Sequence, residues 1–360
     1  MLKRVSPPLA ILAALMVSVS HAQSIDIGAN KQFQARVVLD GLCNPSCVTF
    51  SPDGHLTVCD SGNGNVLLVK DGSAEKYLTG FETEFWKVNA DTGKKSFKLG
   101  PLSAVWVGKR LAVTNAGLGD GKETVVFFDG PGNASSGKAT NSVGPTSDDA
   151  KDKGEGNLTG LSVTEDGSTV FVAGQGADAK TWILKVDVAT RKMSGAFSAD
   201  DAGIAINSPM ATLPWSKNAV LALYSGKGGA DDGLIVMWNI KTKKVVRQWN
   251  LPGLTDPMGF ARVPDTNQVV VVDNNWSLTE VKPGRLARVT LPRKADMPAK
   301  VRVIADDLRG PVSCAFGPDG NLYVAQLGSE FDTNKGQVLA ISGIKKFTPK
   351  KGRKKKDNSQ

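Results

Sequence analysis

Short runs of four to seven residues in which apolar positions dominate, each bounded by Gly, Asp, Asn or Pro, recur along almost the whole chain. No stretch carries an apolar stripe at the 3.6-residue period of a helix, so the pattern predicts an all-β protein. The runs are also periodic. The segment Arg36-Val37-Val38-Leu39-Asp40-Gly41-Leu42, followed by Pro45, Phe50, Pro52-Asp53-Gly54, Leu56 and Val58, returns as Arg302-Val303-Ile304-Ala305-Asp306-Asp307-Leu308, Pro311, Phe316, Pro318-Asp319-Gly320, Leu322 and Val324, every pair 266 residues apart. That offset divides into five steps of roughly 53 residues, close to the repeat of propeller blades, and predicts six units.

Two series of strands support the count. One runs His55–Asp60, Arg110–Asn115, Thr169–Gly174, Ala219–Tyr224, Gln268–Asp273 and Asn321–Gln326. The next runs Val66–Val69, Val125–Phe128, Trp182–Val186, Leu234–Trp238, Leu286–Val289 and Val338–Ile341. Six units of about four antiparallel strands make a six-bladed β-propeller, in which radial repetition leaves few open edges. The last unit lacks an outermost strand, and Gln34–Leu39 matches the missing one. The N-terminal strand is therefore expected to pair with the C-terminal blade and close the ring. Residues 131–157 are small and polar and read as a long loop.

The formal charge of +9 suggests an acidic partner until it is located. Lys3, Arg4 and the tail from Lys345 to Asp357 account for all of it, and the body from 23 to 344 is neutral. A neutral body argues against a nucleic-acid groove. Residues 1–22 read as a secretory signal: Lys3 and Arg4, then the apolar stretch Leu9–Val19, then the small-x-small site Ser20-His21-Ala22. The expected organisation is thus a signal peptide over 1–22, a propeller over 23–344 and a disordered basic tail over 345–360. The expected location is periplasmic or extracellular, with no transmembrane segment and with a tail able to touch acidic envelope polymers.

In an up-and-down blade, the loop before the first strand and the turn after the second share one end. Asn44, Asn157, Asn207 and Asp256, with Asp60, Asn115 and Asp273, are therefore predicted to gather at one mouth of the ring, with Trp276 on its rim. Such a mouth suits a small molecule, a peptide or a protein partner; the competing reading is that these side chains merely cap turns. Export makes the four cysteines candidate disulfides. Ring closure would bring all four to one seam, where three connectivities are open. The pairing expected here is Cys43–Cys59 with Cys47–Cys314, against the alternative of buried free thiols. His55, beside Pro52-Asp53-Gly54, falls at the other end of its blade, away from any nucleophile at the mouth.

The segment from Asn44-Pro45 through Pro52-Asp53-Gly54, Asp60 and Asn65-Val66 resembles an NHL-type repeat. The chain from 33 to 344 is similar to the six-bladed propellers that include gluconolactonase-like (SMP-30) and strictosidine-synthase-like proteins. Lactonases of that group hold a divalent metal in the channel through Glu, Asn and Asp. The resemblance implies Asn157, in Asn157-Leu158-Thr159-Gly160-Leu161, and Asp256, in Asp256-Pro257-Met258-Gly259, as ligands, with Asn207 as the alternative asparagine; Asn44-Pro45 stands where the Glu segment would be. One carboxylate among amides is expected to bind Ca²⁺ only weakly, through oxygen ligands. Quinoprotein sugar dehydrogenases share the ring but use a catalytic base, usually His, which this sequence does not offer. An exported binding module with its ligand at the channel mouth is the leading expectation. A lactonase-like, metal-dependent hydrolase is the alternative.

Overall fold

The computed structural model describes residues 24–29, 32–88, 92–119, 122–134, 142–143, 154–176, 181–205, 208–277, 279–294 and 297–345. The expected signal peptide, Asn207, the tail beyond Lys345 and most of the 131–157 loop lie outside the described residues. Among the described residues no helix is long and apolar enough to cross a membrane.

Six sheets form the blades of a propeller, antiparallel except where Gly132–Asn133 joins the edge of blade one in parallel. Their innermost strands are Pro45–Phe50, Ala104–Val107, Gly154–Val163, Ser208–Ser216, Pro257–Arg262 and Pro311–Phe316. Gln34–Leu42 pairs antiparallel with Gly336–Ser342 and supplies the outer strand of blade six, so both ends of the ring share one sheet. A separate two-stranded hairpin, Glu84–Val88 with Lys95–Leu99, lies in the connection between blades one and two.

The second strands read as continuous apolar runs because both their faces are covered. Leu56–Asp60, Ala219–Ser225 and Leu322–Gln326 are buried at every position. Alternate residues point to opposite neighbours: Leu221 and Leu223 pack with Val269 and Val271 of blade five, whereas Val220, Ala222 and Tyr224 pack with Phe171 and Ala173 of blade three. One apolar cluster of this kind fills each of the six seams between blades. At the closing seam Val58 and Leu67 of blade one meet Ala325 and Val338 of blade six and Leu39 of the N-terminal strand.

The disulfide expectation is corrected. All four cysteines are buried free thiols. Cys47 stands opposite Cys59 on the neighbouring strand of the same blade, in thiol-to-thiol hydrogen-bond contact. Cys314 is not its partner, because successive residues of a strand face opposite ways. Ser313 turns to blade one, where its hydroxyl accepts from Val48 N at 3.3 Å, and Cys314 packs with the apolar side chains between blades five and six. Cys43 precedes its strand and lies against Gly62, where a Cβ would meet its sulfur at 2.4 Å. Burial pushes the Cys43 thiol up to about 11, with the Asp60 and Asp332 carboxylates adding to the shift. A thiol reagent is accordingly expected to leave the folded protein untouched and to titrate four thiols after denaturation; two or fewer would establish a disulfide.

Candidate functional site: a lidded pocket at the ring mouth

Four of the six innermost strands begin with the same irregularity. The register between first and second strands slips just after Pro45, Pro209, Pro257 and Pro311. A bulge leaves one residue unpaired and re-aims its side chain. The residues in the slips are Ser46, Met210, Met258 and Val312, and all four line one cavity on the ring axis. Blade three slips between Glu155 and Gly160 and contributes Thr159. Blade two contributes Leu102. The cavity measures about 270 Å³ and takes wall residues from all six blades.

The hairpin 84–99 lies over this mouth. Its Trp86 and Phe97 join the wall, as does Trp276 from beyond the second strand of blade five. Phe97 stacks on Trp276 and on Phe331, each with ring centroids 4.3 Å apart, and Trp86 sits 5.7 Å from Trp276. Phe97 has φ +61°, an uncommon conformation for a bulky residue. Asp332 holds it there: its carboxylate accepts from Phe97 N at 2.8 Å, Lys98 N at 2.6 Å and Asn44 Nδ2 at 2.7 Å. Asn44 completes the fastening, donating also to the Lys98 carbonyl at 3.0 Å and accepting from Asp332 N at 2.8 Å.

Of the residues expected at the mouth, Asn44, Asn157, Asp256 and Trp276 line the cavity. Asp60, Asn115 and Asp273 are not among its wall residues; two of these are latches. Asp60 Oδ1 accepts from Cys43 N at 2.7 Å, and Asp273 Oδ1 accepts from Asp256 N at 2.6 Å. Gln326 holds the equivalent position in blade six, accepting from Arg309 N at 3.0 Å, and Thr114, one residue before the end of its strand, accepts from Ser103 N at 2.9 Å. In each case the end of a second strand ties down the approach to the first strand of its blade. Asp60 and Asp273 thus spend their carboxylates on backbone N–H groups 17 residues away rather than on local turns. Asn115 ends the second strand of blade two, and its Oδ1 is buried without a partner.

Burial raises the carboxyl of Asp60 and of Asp273 above the ordinary aspartate range, against the lowering by their N–H donors. An acid whose folded pKa is raised binds its proton more tightly folded than unfolded. Its contribution favours folding below the unfolded pKa and is lost as pH rises through the folded one. Urea midpoints measured across the acid range should show this component in wild type and less of it in Asp60→Asn.

Asn157 has φ +70°. Its N–H donates to Glu123 Oε1 at 3.1 Å, while its own Oδ1 is buried without a hydrogen-bond partner. Asp256 is 3% exposed. Its Oδ2 accepts from Trp276 N at 2.8 Å, and the carboxylate accepts from Gly229 N at 3.1 and 3.2 Å. Asp256 is the single ionisable side chain among the described wall residues, which include no Lys, Arg or His.

Sequence reasoning missed the bulge residues and the lid. The bulges carry a signal in retrospect: a wall side chain recurs two positions after Asn44, Asn157, Ser208, Asp256 and Gly310. The lid carries less, since Trp86 alone marks it.

No family model matches the chain, and no curated protein matches it in sequence. Solved structures do match in shape. The soluble aldose sugar dehydrogenase of Escherichia coli, in its apo form, is 14% identical with a TM-score of 0.55, over 86% of this chain and 99% of that one. A putative oxidoreductase (glucose dehydrogenase) of Thermus thermophilus gives the same figures. Hydrazine synthase of Kuenenia stuttgartiensis is 17% identical with a TM-score of 0.51, over 79% of this chain and 74% of that one. Likeness at these identities establishes a shared fold, and fold does not fix function.

Proposed function

We propose that this chain is an exported β-propeller binding module that takes a small molecule with an apolar body into the mouth pocket. The observation that carries the reading is the convergence of bulged apolar side chains and an aromatic lid on one cavity of about 270 Å³. A pocket of mainly apolar and aromatic lining with a few placed polar groups is the usual form of a small-molecule site. Export rests on Lys3, Arg4, Leu9–Val19 and Ser20-His21-Ala22, and the NHL/SMP-30 kinship rests on the sequence motifs alone.

The metal-dependent hydrolase reading has weaker support. Asn157 and Asp256 do share the wall, which favours it. Ca²⁺ takes six to eight oxygen donors. Here the Asp256 oxygens face two backbone N–H groups, and the Asn44 carbonyl is taken by Asp332 N. Among the described residues no three His, Cys, Asp or Glu side chains come together as a metal site. This donor set does not suit the ion. Sugar oxidation, the activity in the names of two structural neighbours, calls for a base near the substrate, and the described wall offers only Asp256.

The pocket is tested by titrating small aromatic compounds against the emission of Trp86 and Trp276. Saturable quenching is expected, and Met258→Trp, which fills the cavity from a bulge, should weaken it about tenfold or more. Binding unchanged by that substitution would refute the mouth as the site. Turnover of lactones or aryl esters that disappears on chelation and returns with Ca²⁺ would favour the hydrolase instead.

A further inference from the structure

Resting on the mouth pocket as the binding site, we infer that its ligand is a monovalent organic cation: an ammonium group on an apolar body. The electrical character of the described wall is one-sided. Its single charge is the Asp256 carboxylate, 3% exposed. Its buried side-chain oxygen without a partner is Asn157 Oδ1, an acceptor. Three aromatic rings, Trp86, Phe97 and Trp276, add apolar wall without any positive charge. Met210 and Met258 add polarisable thioether sulfur. A carboxylate-bearing ligand would meet like charge and acceptors without a compensating cation, and a neutral one would leave Asp256 without a counter-charge. An ammonium answers both, by charge-assisted hydrogen bonding to the carboxylate.

The position for such a group is also defined. Asp256 Oδ2 is tied to the backbone of Trp276, so carboxylate and indole are held side by side. Gly228 faces both: a Cβ built on it would lie 3.9 Å from Asp256 Oδ1 and 3.9 Å from Trp276 Cδ1. The absent side chain leaves a space beside a carboxylate oxygen, bounded on its other side by the indole of Trp276. A carboxylate has about four lone-pair positions, and the two N–H donors on Asp256 leave room for an ammonium proton.

Calorimetric titration with three probes that share one body tests this on the wild-type protein: 2-phenylethylammonium, 2-phenylethanol and 3-phenylpropanoate. The ammonium should bind about tenfold or more tighter than the alcohol, and the carboxylate more weakly than either. Asp256→Asn should abolish the advantage of the ammonium over the alcohol. Gly228→Leu, which fills the space without altering Asp256, should remove the same preference even if Asp256→Asn fails to fold. Equal affinities for ammonium and alcohol, or tightest binding of the carboxylate, would overturn the cation while leaving the pocket standing. No binding by any of the three would refute the pocket as well. Calcium chloride binding more tightly than the ammonium, and losing that affinity in Asp256→Asn, would overturn the organic cation in favour of a metal.

Discussion

Valine at position 160 is expected to destabilise the propeller by about 3 kcal/mol or more. Gly160 lies in the innermost strand of blade three, where six strands crowd about one axis. A Cβ there would fall 2.6 Å from the Met210 carbonyl oxygen and 2.8 Å from Ala211 Cα of blade four. Both are backbone atoms, which cannot swing aside as a side-chain tip would, so two blades must part. The strain spreads into the apolar seam between blades three and four, where Phe171, Phe197 and Trp238 interlock. Gly259 repeats the arrangement between blades five and six, with a Cβ meeting Val312 O at 2.9 Å and Ser313 Cα at 3.0 Å. Gly130→Ala is the control: nothing lies within 4 Å of its Cβ, so it should be neutral or slightly stabilising. Urea unfolding decides the matter. A Gly160→Val midpoint within about 1 kcal/mol of wild type would mean the inner strands are not in contact as described.

Asp332→Ala is expected to release the lid while leaving the ring folded. The substitution removes the acceptor of Phe97 N, Lys98 N and Asn44 Nδ2 together. Hydrogen bonds to a charged group are worth about 1.5–3 kcal/mol each in favourable settings, though not additively. Phe97 at φ +61° carries a backbone strain of about 1–3 kcal/mol that persists only while its surroundings enforce it. Freed, it should relax to negative φ and unstack from Trp276 and Phe331. Exchange protection of the Phe97 and Lys98 amides should fall by about 30-fold or more, and Trp86 and Trp276 emission should shift to the red. Global stability should fall by no more than the free energy that held the lid closed, about 2 kcal/mol for a 30-fold change, because the hairpin belongs to no blade and the ring stays folded. Asp332→Asn, which keeps one acceptor oxygen, should fall between. Protection unchanged in Asp332→Ala would show that aromatic stacking alone closes the lid.

These two substitutions separate what the chain reveals of itself from what it conceals. The blade strands were legible because each lies in a fixed environment. Arg110–Asn115 and Gln268–Asp273 begin and end where the pattern put them, since a second strand covered on both sides must be apolar throughout. The mouth was partly legible for the same reason: a residue leading an innermost strand has one place to be, and Asn44, Asn157 and Asp256 are there. Their roles were not. Asp256 and Asp273 are both aspartates beside strand ends, yet one lines the cavity and the other holds the first in place.

The cysteines make the distinction sharper. Ring closure correctly brought blades one and six together, but a disulfide depends on which face of a strand a side chain occupies. One residue of offset turned Cys314 away from Cys47. Local pattern says that a strand exists; the facing of its side chains at a seam between blades is settled by packing.

By itself the sequence determined the repeat, the number of blades and the strand that closes the ring, because periodic burial imposes periodic hydrophobicity. Tertiary structure alone decided the pocket's contents. The bulges that aim Met210 and Met258 inward, the union of Asn44 with Asp332 across 288 positions and the stacking of Phe97 on Trp276 join residues that no local pattern connects. Their contacts are set by the closed ring rather than by the chain's own period.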